Sequence, residues 1–314
     1  MWQYTVLSVD NAIFIIFLYD LTTRSPSMKS YPISVVIPTY NRAELLGRAL
    51  ASVAKQTVKC SEIIVVDDGS NDSTGDFLKD FSSTAETDFT IIHQKNKGPA
   101  AARNHGIRTA KNEYLAFLDS DDHWHKRKIE MQYKVFIENP EYMISHTREK
   151  WLRRGIHLNQ KKKHMPRHGD IFDHCLQLCG VGMSTVMVRK SLFLTVGFFD
   201  ETLRCCEDYD LWLRVSCRYP FYLVDVPLNV KEGGREDQIS CIHRMGMDRM
   251  RIYAIKKMLD SNMLTEKQWF LALDEFEKKC SIYGRGCLKH GKIETGKHYL
   301  ELAESYKRIH KKNI

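Results

Sequence analysis

From Ile33 onward the chain repeats one pattern: a run of branched or aromatic residues, a polar stop, then apolar residues at helical spacing. This alternation constrains the fold more than any other feature. Residues 33–37 halt at Pro38, residues 62–66 end in Asp67-Asp68-Gly69-Ser70, and residues 89–93 form a third short strand. A fourth, residues 114–118, ends in Asp119-Ser120-Asp121-Asp122. Between them, Leu46, Leu50 and Val53 mark a helix over residues 43–55, and Asn71-Asp72-Ser73 caps a second through Lys79. Gly98-Pro99 opens a third, over residues 100–111. Strands alternating with helices predict an α/β protein with a mostly parallel central sheet and flanking helices. Ligands of such sheets bind outside the carboxyl ends of the strands. Here those ends carry Thr39, Asp67 and Asp68, and Asp119 and Asp121.

The fourth strand stops in three carboxylates within four residues. Burying them unpaired would be costly, so they belong where the strand emerges into a cleft, with cationic company. Clustered oxygen donors suit a hard cation such as Mg²⁺ or Mn²⁺, which typically takes one or two carboxylates together with substrate phosphates. Taken alone, the motif more often marks a strand-end turn that also caps the next helix, and it is the neighbouring motifs that raise the metal reading. No strand is followed by GxGxxG and no GxxxxGK[ST] occurs, which excludes a dinucleotide site and a P-loop.

At 314 residues, the chain has room for one large domain or two modest ones. Much of its net charge of +8 lies in residues 148–167 and in Lys307, Arg308, Lys311 and Lys312. A charge run of this kind is more often a solvated face than a nucleic-acid site, and peripheral membrane contact through the basic tail is the weaker reading. The nine cysteines include no CxxC pair and no zinc-like spacing, and favour reduced thiols in a cytoplasmic protein. Residues 12–19 are strongly apolar but shorter than the roughly 20 residues that span a bilayer. Residues 1–30 are expected to be a disordered extension, with Met28-Lys29 leading directly into the first strand.

The second half is less regular. Residues 126–138 read as a helix on the sheet, 148–167 as a mobile loop or hairpin, 171–178 as a helix and 184–188 as a strand. Glu207 and Asp208 open a helix whose dipole favours anions there, so capping and catalysis are balanced readings. Trp212 has the spacing of a core residue. Residues 233–238 read as a flexible connection, followed by amphipathic helices over 245–258 and 266–283 and a basic helix over 289–308.

Six motifs, in order, carry a resemblance to the inverting family 2 glycosyltransferases. They are Val36-Ile37-Pro38-Thr39-Tyr40-Asn41-Arg42, Val65-Val66-Asp67-Asp68-Gly69-Ser70 and Lys97-Gly98-Pro99-Ala100-Ala101-Ala102-Arg103-Asn104. Leu118-Asp119-Ser120-Asp121-Asp122, Gly197-Phe198-Phe199-Asp200-Glu201 and Glu207-Asp208-Tyr209-Asp210-Leu211-Trp212 complete the set. The likeness covers residues 31–230 and implies a GT-A nucleotide-diphospho-sugar transferase domain there, with residues 231–314 as a helical C-terminal extension. It further implies a nucleotide-sugar donor (a UDP-sugar foremost), a glycan or lipid-linked acceptor and assistance by Mn²⁺ or Mg²⁺. The implied location is the cytoplasm or the inner face of the cell membrane.

Residue by residue, the resemblance implies that Pro38, Thr39, Tyr40 and Arg42 line the donor site. Thr39 with Asp67 or Asp68 would contact base and ribose, and Lys97 would face phosphate, although exposed loop lysines usually do nothing specific. Arg103 would pair with donor phosphate or hold the aspartate loop. Asp119, beside Ser120, would bind ribose or metal, and Asp121 would ligate the metal bridging the diphosphate. Asp208 would be the general base, with Glu207 the alternative. Arg235 and His243 fall where a loop closing over the diphosphate would lie. A non-catalytic nucleotide- or glycan-binding protein on the same scaffold is the rival class, and the combination of Asp119, Asp121 and Asp208 argues against it.

Overall fold

The computed structural model describes residues 5–9, 12–16, 30–243 and 246–313. Strands β1 (Thr5–Val9) and β2 (Ala12–Ile16) pair as an antiparallel hairpin. The extension expected over residues 1–30 otherwise lies outside the described residues.

The alternating pattern folds as expected. β3 (Ser30–Thr39), α1 (Ala43–Ala54), β4 (Lys59–Asp67), α2 (Thr74–Thr84), β5 (Asp88–His93), α3 (Pro99–Thr109) and β6 (Tyr114–Phe117) follow one another. β7 (His123–Trp124), α4 (Lys128–Glu138), β8 (Ile144–Arg153), β9 (Ile156–Leu158), α5 (Phe172–Gln177), β10 (Met187–Arg189) and α6 (Leu192–Val196) come next. Then come α7 (Glu207–Ser216), β11 (Tyr222–Gly233), α8 (Ile239–Ile242), α9 (Met247–Leu259), α10 (Glu266–Lys289) and α11 (Ile293–Asn313).

The main sheet runs β5-β4-β3-β6-β10-β8-β11-β7, with β9 paired to β8. Strands β5, β4, β3 and β6 are mutually parallel, β11 runs parallel to β8, and β10, β7 and β9 are antiparallel to their neighbours. Register brings Thr39 beside Asp67 and Asp67 beside His93, so the polar ends of three strands form one row.

Alternate side chains of β3 face opposite ways, and each face has its own core. Val35 and Ile37 pack with Leu46 and Leu50 of α1 and with Ile129 and Phe136 of α4. Val36 packs toward α3, where Gly106 permits the close approach because a Cβ there would overlap the Val36 side chain. This second core continues through Leu211 and Trp212 of α7 into Ile255 of α9 and Phe276 of α10. The C-terminal helices therefore share a core with the sheet. Lys257 of α9 reinforces the join by pairing with Asp210 (2.8 Å) and Asp200 (2.6 Å).

One expectation is narrowed, one changes, and one element is new. Of the two readings of the basic stretch 148–167, the hairpin is the one that forms: its first part is the end of β8, which pairs with β11 along residues 148–153 and with β9 at Trp151–Arg153. The strand expected at 184–188 is a 3₁₀ turn, Met183–Thr185, followed by the short β10. β11 is a long strand with no sequence signal. Asp225, Asn229 and Lys231 break its apolar pattern, and Pro227 sits at a register shift, where a missing N–H is tolerated.

Candidate active site

The row of strand ends carries polar side chains at the carboxyl edge of the parallel strands. Thr39 is 3% exposed, and its Oγ1 has no hydrogen-bond partner among the described residues. Beside it, Asp67 accepts from the Ser70 N–H (2.9 Å), and its other oxygen lies 3.2 Å from His93 Nδ1. Asp68 has a different task. Its carboxylate accepts from the N–H groups of Lys97 (2.9 Å) and Gly98 (2.8 Å) and from Gln94 Nε2 (2.7 Å). These bonds hold the loop that enters α3, so the pair Asp67 and Asp68 divides into a cleft-lining acid and a loop-holding one. Tyr40 and Lys97 are exposed at the rim, and Pro38 closes β3 behind them.

Arg103 is the hub. It projects from α3, is 5% exposed, and donates to Asp119 Oδ1 (2.7 Å) and Glu207 Oε1 (2.6 Å). Burial works against its charge, but the two carboxylates outweigh it and raise the guanidinium's pKa further. Burial pushes the Glu207 carboxyl up from its ordinary value while Arg103 pulls it down. One guanidinium thus ties the turn after β6 to the start of α7, where Asp208 follows Glu207. Asp119 is also fixed from its backbone, whose N–H donates to Ser184 Oγ (3.1 Å).

Asp121 faces a second set of cations. Its Oδ2 lies 2.8 Å from Arg42 Nη1 and 2.5 Å from Arg235 Nη2, with Gln238 Nε2 at 3.4 Å. Burial alone would raise its pKa, but the two guanidinium groups hold it below the usual carboxylate value. Asp237 joins Arg42 (3.0 Å) to Arg235 (3.0 Å), so the segment after β11 is pinned onto the aspartate turn. Arg48 donates to the Asp121 carbonyl (3.0 Å) and pairs with Glu232 (2.6 Å). Ser120 is buried between the two aspartates.

Behind this turn, Asp122 is buried and its carboxyl is pushed well above its ordinary pKa, by burial first and by Asp121 second. It accepts from Asn229 Nδ2 (3.4 Å) and the Glu232 N–H (3.2 Å). Lys231, on the same face of β11 as Asn229, is held charged by Glu149 against burial, and then by Asp122 and Asp119. At the other wall, Asp208 Oδ2 accepts from the thiol of Cys179 (3.1 Å), and Oδ1 from the N–H of Tyr209 (2.7 Å). Trp212 is 1% exposed, donates Nε1–H to the Val181 carbonyl (2.9 Å), and belongs to the core.

Ion pairs thus join Arg42 to Asp121 and Arg103 to Asp119 and Glu207, Asp208 follows Glu207 at the start of α7, and Thr39 stands beside Asp67 by register, while Lys97 and Tyr40 are exposed. Sequence reasoning missed Lys231, Gln238, Glu149 and Cys179, and gave Arg235 little weight. Period-two alternation of Asn229 and Lys231 is the one local signal that would have raised them.

For a divalent cation, the donor chemistry at Asp119 and Asp121 fits: hard oxygens on one turn, facing a polar cleft. Among the described residues no group of three or more His, Cys, Asp or Glu converges. Mg²⁺ commonly completes its shell with water and substrate phosphates, so two carboxylates suffice. Asp121 must first exchange a guanidinium for the ion.

Comparison with known proteins bears on the family and the fold. The sequence profile described as Glycosyl transferase family 2 matches residues 34–194, half of the chain. An uncharacterized glycosyltransferase of Rickettsia felis is 38% identical over 205 residues, covering 63% of this chain and 32% of that protein. The chain thus spans about a third of the length of the first such relatives. The Escherichia coli UDP-Glc:alpha-D-GlcNAc-diphosphoundecaprenol beta-1,3-glucosyltransferase WfgD is 31% identical over 189 residues, 60% of this chain and 71% of that protein. Among solved structures, S. aureus TarS 1–349 in complex with UDP-GlcNAc superposes with a TM-score of 0.60 at 18% identity, over 88% of this chain and 91% of that one. At that identity the likeness speaks for the fold, which is of the GT-A type. Profile, relatives and fold agree: the chain belongs to glycosyl transferase family 2.

Proposed function

We propose that this chain is an inverting glycosyltransferase that moves a sugar from a nucleoside-diphosphate donor to the hydroxyl of a glycan or lipid-linked acceptor. The observation that carries the reading is the Arg103 bridge, which binds Asp119 on the donor side to Glu207, the neighbour of Asp208, on the acceptor side. A UDP-sugar donor is favoured because WfgD is named for UDP-Glc and TarS was solved with UDP-GlcNAc. The name of WfgD likewise favours a lipid-diphosphate acceptor. Such an acceptor would place the reaction at the inner face of the cell membrane, although no helix among the described residues is long and apolar enough to cross one.

The roles follow from position. Thr39, with its unpartnered hydroxyl, and Asp67 receive base and ribose. Asp68 acts through the loop it holds, and Pro38, Tyr40 and Lys97 shape the mouth. Arg42 and Arg235 face the diphosphate, and Asp119 and Asp121 would hold Mn²⁺ or Mg²⁺. A bound cation would stabilise the charge that grows on the departing nucleoside diphosphate. Asp208 accepts the acceptor's proton as its oxygen attacks the anomeric carbon from the face opposite the diphosphate, so one base suffices. Glu207, already committed to Arg103, orients that wall. Residues 31–230 form the transferase unit in this reading, with 231–314 a helical extension that lends Arg235 to the site.

The test is calorimetric titration of UDP, GDP, dTDP and CMP into the protein, with and without Mn²⁺. Binding of one nucleoside diphosphate in the presence of Mn²⁺ is expected, with UDP first, and Asp208→Asn should retain it while losing transfer. No binding by any of the four would overturn the donor reading and favour a non-catalytic protein on this fold.

A further inference from the structure

Cys179 lies outside every motif used above. It sits on a short stretch, residues 178–182, fixed from three sides. A Cβ on Gly180 would fall 2.5 Å from His174 Nε2, and one on Gly182 2.5 Å from Glu149 Oε1, so both neighbours press directly on the backbone. Between them, the Val181 carbonyl accepts from Trp212 Nε1. The thiol projects from this rigid platform and places Sγ 3.1 Å from Asp208 Oδ2, while its other acceptor, the Val181 carbonyl, is at 3.8 Å. With Oδ1 taken by the Tyr209 N–H, both oxygens of Asp208 are oriented by named donors.

We infer that Cys179 is a positioning residue for Asp208: its S–H fixes the carboxylate's rotamer and holds the place that an acceptor hydroxyl takes. The inference rests on the reading of Asp208 as the base. A thiol is a weak donor, so an incoming O–H displaces it at little cost, where a serine hydroxyl would compete. The acceptor O–H then donates to Oδ2. As its oxygen bonds to the anomeric carbon, the sugar–phosphate bond breaks. The electron pair leaves with the diphosphate, the proton ends on Asp208, and the thiol keeps its own. Burial and the adjacent Asp208 both push the Cys179 thiol up, so it stays protonated through the reaction. The other charged or titratable groups around this corner are Lys231 of β11, Arg251 of α9, Tyr209 of α7, Glu207 with Arg103, and the neighbouring thiols of Cys175, Cys205 and Cys206.

The experiment compares wild type, Cys179→Ser, Cys179→Ala and Asp208→Asn for release of UDP from UDP-glucose across pH, with Mn²⁺–UDP binding by calorimetry as the check on folding. A hydrogen bond to a carboxylate favours its charged form. The serine variant should therefore move the acid limb of kcat/KM down and the alanine variant up, each by about half a pH unit, or about threefold in proton affinity. Infrared spectra give a readout independent of turnover. The S–H band lost in Cys179→Ser should shift toward the free-thiol position in Asp208→Asn. Unmoved profiles and an unshifted band, with Asp208→Asn inactive, would overturn the role of Cys179 and leave the base in place. Full UDP release by Asp208→Asn would overturn both.

Discussion

Replacing Arg235 by alanine should change metal binding and nucleotide binding in opposite directions. Arg235 Nη2 is 2.5 Å from Asp121 Oδ2, and the two side chains are 27% and 13% exposed. A hydrogen bond to a charged partner contributes about 1.5–3 kcal/mol. Partial exposure reduces this to about 1–2 kcal/mol, which a cation taking Asp121 must overcome. Removing the guanidinium should therefore tighten Mn²⁺ binding to the nucleotide-free protein about 5- to 30-fold, at 1.4 kcal/mol per decade. With Mn²⁺ saturating, the same variant lacks one of the two cations facing the diphosphate, so UDP should bind more weakly than to wild type. The first quantity is read from the free-Mn²⁺ signal in electron paramagnetic resonance, the second by calorimetry. Arg235→Lys separates charge from geometry, because an ammonium cannot reproduce the planar fork. Unchanged Mn²⁺ affinity in Arg235→Ala, or tighter binding of both ligands, would refute the exchange of Asp121 between arginine and metal.

Two further expectations concern buried charge. Arg103→Ala strands the buried Glu207 and should cost about 3–5 kcal/mol in denaturant unfolding. Adding Glu207→Gln should recover part of that loss, and a full-strength fold in the single variant would refute the hub. His146 of β8 is buried, with Nε2 2.9 Å from the Arg167 carbonyl, and burial lowers its pKa from 6.5 to about 4. Below pH 6.5 the unfolded chain takes up a proton that the folded one refuses. This contribution is complete above pH 6.5 and is lost as pH falls toward 4, by about 3 kcal/mol in all. His146→Gln should flatten this stretch of the stability profile, and an unchanged slope would refute it.

What the sequence disclosed and what it hid have one physical cause. The strand ends at Thr39, Asp67 and Asp119 were legible because a parallel strand covered on both faces must be apolar until it emerges, so the first polar residue marks the cleft. Asp208 was legible only as a helix opening, and its spacing alone left capping and catalysis balanced. β11 was illegible because it violates the same rule: Asn229 and Lys231 stand on one face of a strand next to the short edge strand β7, where a covered sheet would carry valine or isoleucine. Their neighbours explain the violation. Asn229 bonds to Asp122 and Glu149, and Lys231 offsets the charge that the aspartate turn concentrates. A strand that walls a polar cleft must read as a loop by hydrophobic pattern, and the segment after it, with Arg235 and Gln238, reads as a linker because its partners are carboxylates distant in sequence. Sites are where local rules are broken with compensation. The failure of the pattern at residues 225–238 is thus itself evidence that this stretch completes the cleft begun by the motifs of the first half.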